Sequence, residues 1–255
     1  MRAALLAPAV ALVLSACQPV PKSSTPPTAA DLAEGATAVP SSLVAEAFLT
    51  PMTPADNIDS PASWRGADGR LWLIATAKAT DKLVVYDGQT GKHLRDVGST
   101  GTALGQFDRP NGIAVQDDLV FIVERDNHRV QVLQLPDFKP LGVFAGNDLR
   151  KPYGLWVNPV QGGYDLYVTD SYDDGEDAAG NDILPALDRL NERVRRYHVK
   201  VEGDAVQARL IRSIGDSSPK GALRVVESIW GDPANDRLLI AEEDETYASE
   251  FKVYS

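Results

Sequence analysis

Apolar and polar positions recur in blocks along this chain, and residues 109–135, RPNGIAVQDDLVFIVERDNHRVQVLQL, hold the clearest block. Residues 112–115 are small and apolar. Residues 119–124 form an apolar run after an Asp117-Asp118 turn. Residues 130–135 alternate after the polar knot that runs from Arg125 to Arg129. Short apolar or alternating runs divided by Gly, Asp and Asn predict the strands of an antiparallel meander.

The same order returns in three other places. SPASWRGADGRLWLIATAKATDKLVVYDGQTGKHLRDVG precedes the first block, KPYGLWVNPVQGGYDLYVTDSYDDGED and RVRRYHVKVEG follow it, and VVESIWGDPANDRLLIAEEDETYASEFKVYS closes the chain. Corresponding starts fall near Ala62, Gly112, Gly154 and Ser228. The period is roughly 40 to 50 residues, with several strands in each, which predicts the blades of a β-propeller. A β-sandwich also strings short strands together, yet it does not call for the matching starts Pro110-Asn111-Gly112 and Pro152-Tyr153-Gly154. The expectation is an all-β chain whose residues 42–255 form a propeller with four recognisable blades. The last block lacks an outer strand. Either residues 42–49 return to supply it, or the chain is a C-terminally truncated piece of a larger ring, and the second is the expectation. An insertion at residues 172–192 lengthens the third block, and there Ile183, Leu187 and Leu190 share one face of a short predicted helix.

Composition narrows the partners. Hydrophobic residues make up 44% of the chain, enough for a large core and against global disorder. A formal net charge of -11 repels phosphate backbones, which argues against nucleic acid. Clustered carboxylates call instead for a cation. Cys17 is the only cysteine, and His93, His128 and His198 are scattered, which removes a disulfide framework and argues against zinc.

The chain opens with Arg2 and an apolar run shorter than the ~20 residues that span a bilayer, and residues 1–16 read as a secretory signal. Leu14-Ser15-Ala16-Cys17 resembles the lipobox of bacterial lipoproteins. That resemblance implies cleavage before Cys17, lipidation of its thiol and, with Gln18 next, an outer-membrane address. Cleavage after Ala16 with a free Cys17 is the plainer alternative. Residues 17–41, rich in Pro, Ser, Thr and Ala, predict a flexible tether. The protein is then expected to be exported and to meet the membrane only through its lipid.

Two family resemblances follow from the blocks. FDRPNGIAVQDDLVFIVERDNHRVQVL is similar to an NHL repeat, a blade type widely used for binding. Over most of residues 56–255 the chain resembles the β-propeller phytases, calcium-dependent secreted enzymes with six blades. The likeness rests on DSPASW, LIATAKATDKLVVYD, YGLWVNPVQGGYDLYVT and VVESIWGDPANDRLLIAEEDE. It implies that Asp59, Glu227 and Glu243 are calcium ligands, that Lys78 and Arg125 clamp phosphate, and that Tyr153 lines the site. The chain departs from that family at Ser60 (an Asp there), at Ser228 (a Gly), at Asn111-Gly112 and at Asp170-Ser171, where a substrate Lys is expected.

The residues admit plainer readings as well. Asp59 fits a turn before Pro61, Glu243 a solvated run from Glu242 to Glu245, and Lys78 and Arg125 surface ion pairs. Tyr153 serves a core equally well, whereas Glu227 ahead of an apolar strand is unusual. In residues 170–182, Asp170, Asp174 and Gly175 fit a calcium loop, but Tyr172 and Asn181 do not, so a solvated acidic loop is the default. The reading is therefore a monomeric calcium-dependent phosphomonoester hydrolase of the phytase type, acting on inositol phosphates through metal-activated water. The alternatives are a tethered, non-catalytic propeller that binds a protein or glycan, and a lactonase-like propeller.

Overall fold

The computed structural model describes residues 42–243 and 250–255. The signal, the lipobox at Cys17 and the tether lie outside the described residues. Packing divides the chain after Ala45. Of the first unit, residues 42–45 carry no regular structure, with Leu43 and Val44 exposed.

The second unit, Glu46–Ser255, is built from four antiparallel meanders. The first holds β1 (Ile58–Arg65), β2 (Leu71–Ala77), β3 (Lys82–Asp87) and β4 (His93–Val97). The second holds β5 (Pro110–Gln116), β6 (Leu119–Glu124), β7 (Arg129–Gln134) and β8 (Lys139–Phe144). The third holds β9 (Pro152–Val160), β10 (Gly163–Asp170), β11 (Val194–Glu202) and β12 (Ala205–Ile214), and the last holds β13 (Val226–Asp232), β14 (Arg237–Glu242) and β15 (Phe251–Tyr254). Within each sheet the spatial order equals the chain order. The first strands pack in succession, β1 on β5, β5 on β9 and β9 on β13. Sheets so arranged are the blades of a β-propeller. Among the described residues no helix is long and apolar enough to cross a membrane.

The core lies between blades. Leu119, Phe121 and Val123 of β6 meet Leu166, Val168 and Tyr197 of the third blade. Val120 and Ile122 of the same strand meet Ile74, Leu83 and Val85 of the first. That two-sided burial explains why β6 reads as an almost unbroken apolar run. Between the last two blades, Val226, Ile229 and Ile240 pack with Val194, Trp156 and Tyr167.

A carboxylate closes the second strand of three blades and fixes the loop that enters the same blade. Glu124 accepts from the backbone N–H of Asp108 at 3.4 Å. Asp170 accepts from Arg150 and Lys151 N–H groups at 3.1 and 2.7 Å. Glu242 accepts from Arg224 N–H at 2.6 Å. All three replace water with main-chain donors, which is what makes their burial tolerable.

The structure differs from the sequence reading in two places, the helix and the first blade's start, and does not bear out the alternative of a strand from residues 42–49. The expected helix at residues 183–192 is a single 3-10 turn, Leu187–Arg189. Ile183 is instead tied back to the loop, donating to Gly175 O at 2.7 Å and accepting from Asp174 N at 2.8 Å, and Pro185 follows. Residues 42–49 form no strand. Phe48 packs against Gly91 of the first blade. The residue equivalent to Gly112, Gly154 and Ser228 is Ser60 rather than Ala62, as the strand registers show.

Candidate functional site

Each first strand begins with a break in its ladder. Pairing with the second strand is interrupted between Ile58 and Pro61 in β1, between Pro110 and Ile113 in β5, between the partners Pro152 and Leu155 in β9, and between Val226 and Ile229 in β13. The residues freed are Asp59-Ser60, Asn111-Gly112, Tyr153-Gly154 and Glu227-Ser228. A bulge re-aims side chains and releases main-chain groups from the ladder. Repeated once per blade, it places Asp59, Asn111, Tyr153 and Glu227 at the same end of four neighbouring sheets.

Five of the six residues singled out for the site form one network there. Lys78, in the turn between β2 and β3, reaches Asp59 Oδ1 at 3.6 Å and donates to the Tyr153 hydroxyl at 3.4 Å. Its ammonium lies 5.9 Å from the centre of the Tyr153 ring. The Glu227 and Glu243 carboxyls lie near enough to bear on the Tyr153 phenol, and Glu243 near enough to bear on Glu227. The acidic run is thereby divided between two tasks. Glu242 is the buried loop anchor, paired with Lys252 at 3.2 Å, while Glu243 joins Glu227.

Burial and two nearby carboxyls set the protonation of this network. Burial, then the hydrogen bond and charge of Glu243, push the Glu227 carboxyl up to about 7; the Tyr153 hydroxyl pulls the other way. A second carboxylate nearby makes the ionised form of Glu227 costlier, in the same direction as its burial. Burial, with the charges of Asp59 and Glu227, raises the Tyr153 phenol above its ordinary range and keeps it a donor.

Arg125 stands apart. Its Nε pairs with Asp126 at 2.6 Å. It borders a separate hollow of about 220 Å³ with His128, Arg150, Lys151 and Tyr172. No hydrogen bond or ion pair among the described residues joins it to Lys78 or Tyr153. Four carboxylates of the loop at residues 170–182 are taken up by flanking protein groups: Asp170 is buried under the main-chain donors of Arg150 and Lys151, Asp173 and Asp182 share Lys151 at 2.5 and 2.6 Å, and Asp174 pairs with Arg189. Those contacts favour the solvated-loop reading over the calcium loop.

Sequence reasoning missed Asn111 as a site residue. It is fully buried, and neither its Oδ1 nor its Nδ2 has a hydrogen-bond partner among the described residues. The buried Oδ2 of Asp59 likewise lacks one. Asn111 occupies the slot that Tyr153 fills one blade later, so the parallel between Pro-Asn-Gly and Pro-Tyr-Gly was the available signal.

Among the described residues no three His, Cys, Asp or Glu side chains are gathered closely enough to enclose a metal. Glu227 and Glu243 nonetheless fit calcium in kind, since both offer hard carboxylate oxygens and Glu243 lies near enough to raise Glu227. Asp59 Oδ2 and Asn111 Oδ1 are orphaned oxygens of the same ring of positions. Calcium takes six to eight oxygens with loose geometry, so these residues would supply only part of its shell.

Residues 107–133 match the NHL repeat family. That segment holds β5, β6 and most of β7 of the second blade, and the sequence resemblance stands for it. No curated protein matches the chain. Among solved structures, a nidogen–laminin complex is 17% identical over 78% of this chain and 65% of that one, with a TM-score of 0.48. Hydrazine synthase of Kuenenia stuttgartiensis is 10% identical over 84% and 49%, also at 0.48. A suggested 6-phosphogluconolactonase of Bacteroides uniformis is 14% identical over 81% and 58%, at 0.45. The chain thus spans between about half and two thirds of the structures it matches. Likenesses this distant carry no argument about activity.

Proposed function

We propose that this propeller is a calcium-dependent phosphomonoester hydrolase of the phytase type, acting on inositol phosphates. The observation that supports it is the Lys78 ammonium set between Asp59 and the Tyr153 phenol, with the Glu227 and Glu243 carboxyls near enough to raise that phenol. Glu227 and Glu243 would hold the ion, with Asp59 and Asn111 as further oxygen donors. Calcium, when bound, supplies the positive charge that lets a dianionic ester enter an acidic site, and lowers the pKa of a bound water.

The chain's own groups do the rest. The Lys78 ammonium takes phosphate oxygens, and Asp59 steers it by an ion pair that a phosphate then shares. The Tyr153 phenol, kept protonated by its surroundings, donates to a second oxygen. In the proposed step water forms the new P–O bond as the ester P–O bond breaks, and the proton that water loses passes to the departing alkoxide, so the products are phosphate and alcohol and no side chain bonds to phosphorus.

Phosphate release from myo-inositol hexakisphosphate by the full chain, with calcium and with a chelator, tests the proposal directly. Calcium should be required. Lys78→Ala should raise KM about tenfold through loss of one charged hydrogen bond. Asn111→Leu should weaken calcium binding severalfold, read by titration calorimetry, while adding a buried apolar group that leaves no orphan. A wild-type protein that releases no phosphate at saturating calcium would turn the reading toward a binding propeller.

A further inference from the structure

The bulge in β13 leaves Glu227 outside the ladder, so its carbonyl lacks the partner that β14 would otherwise give. That oxygen accepts instead from the Thr169 hydroxyl of the third blade, at 2.8 Å. The same hydroxyl accepts the Gly154 N–H at 2.7 Å. Its single proton serves one acceptor at a time, and Glu227 O is closer than Gly154 O, at 3.3 Å. Thr169 is fully buried, so water does not compete.

Gly154 makes the approach possible. A Cβ built there would lie 2.3 Å from Glu227 O, a distance no side chain tolerates. The residue before it, Tyr153, lies near the Glu227 carboxyl. The third blade therefore grips Glu227 by its main chain, next to the phenol of the same blade.

Packing alone does not require the hydroxyl. The slot next to last in the second strand is Thr76, Val123, Thr169 and Ala241 in the four blades. Val123 fills it in the second blade without any donor. Thr76 repeats the device, donating to Asn111 O at 2.7 Å across the first blade boundary. Hydroxyls thus stand where the next blade presents Asn111 or Glu227.

We infer that Thr169 is a positioning residue: its hydroxyl, with Gly154, fixes the Glu227 backbone and so the place of its carboxyl in the cation site. The inference rests on Glu227 being a cation ligand, as proposed above. Terbium, a calcium surrogate whose emission tyrosine sensitises, is the probe, and hydrogen exchange of the amides at residues 226–229 is the second readout. Thr169→Val should lower terbium affinity about tenfold, the worth of one lost hydrogen bond, and speed that exchange. Thr169→Ser, which keeps the hydroxyl, should stay near wild type in both. Should valine prevent folding, Thr169→Ala is compared with Thr169→Ser in the same way. Unchanged affinity and unchanged exchange in Thr169→Val would overturn the inference. A wild type that binds neither terbium nor calcium would remove the cation reading instead, and the exchange data alone would then decide whether Thr169 holds Glu227 in place.

Discussion

Glu124→Ala is expected to cost about 3 to 5 kcal/mol of unfolding free energy, the usual loss when one partner of a buried ion pair is removed. Glu124 is fully buried. Its Oε1 accepts from Arg129 Nε at 2.8 Å and Gln131 Nε2 at 2.9 Å, and its Oε2 from Asn127 Nδ2 at 2.5 Å. Arg129 also donates to the carbonyls of Thr102 and Gln106, at 2.6 and 3.2 Å. One carboxylate therefore ties the β6–β7 turn to the long loop that enters the second blade. Truncation leaves the guanidinium charged among carbonyls with no counter-ion. Glu124→Gln keeps the shape and should lose less. Urea unfolding of the two variants checks the prediction, and a loss under about 1 kcal/mol for alanine would place this pair among surface ion pairs in strength. The polar knot from Arg125 to Arg129 is chiefly a fold device: Asn127 and Arg129 close the blade.

The blades were legible because each buries itself on its neighbours, so apolar runs and turns repeat with the architecture. The bulges were not. They sit within apolar-looking starts such as PNGIAV and PYGLWV, and nothing in the residue types separates a paired position from a freed one. That is why the first blade was aligned two residues late, at Ala62 instead of Ser60. The same gap hid Asn111, whose orphaned amide matters only once its burial is known. Lys78, Tyr153, Glu227 and Glu243 came through resemblance and do share one network. Arg125 came the same way and does not, because Asp126 beside it takes the guanidinium. Thr169 carried a weak signal, a hydroxyl in an otherwise apolar strand, whose meaning depends on a partner 58 residues away.

Glu227→Gln is expected to lower calcium-dependent phosphate release about 100-fold or more, since it removes a ligand charge from the centre of the site. The same substitution has a second consequence that does not depend on substrate. In the unfolded chain Glu227 titrates near 4.5, whereas in the fold it is pushed up to about 7. Between those values the folded protein keeps a proton that the unfolded chain has released. Without calcium, stability should therefore fall as pH rises from about 4.5 to about 7, and level off above. Glutamine, which holds no such proton, should flatten that slope. Calcium opposes the proton for the same oxygens, so its affinity should climb with pH through the same window, with proton release. Calorimetry in two buffers of different ionisation enthalpy measures that release. Glu243→Gln, which removes the contributions next in size after burial to the rise of Glu227, should lower the upper end of the window. Calcium affinity that is flat from pH 5 to 8 in the wild type would mean that Glu227 keeps no proton in that range, and with it the electrostatic basis of the site would fall.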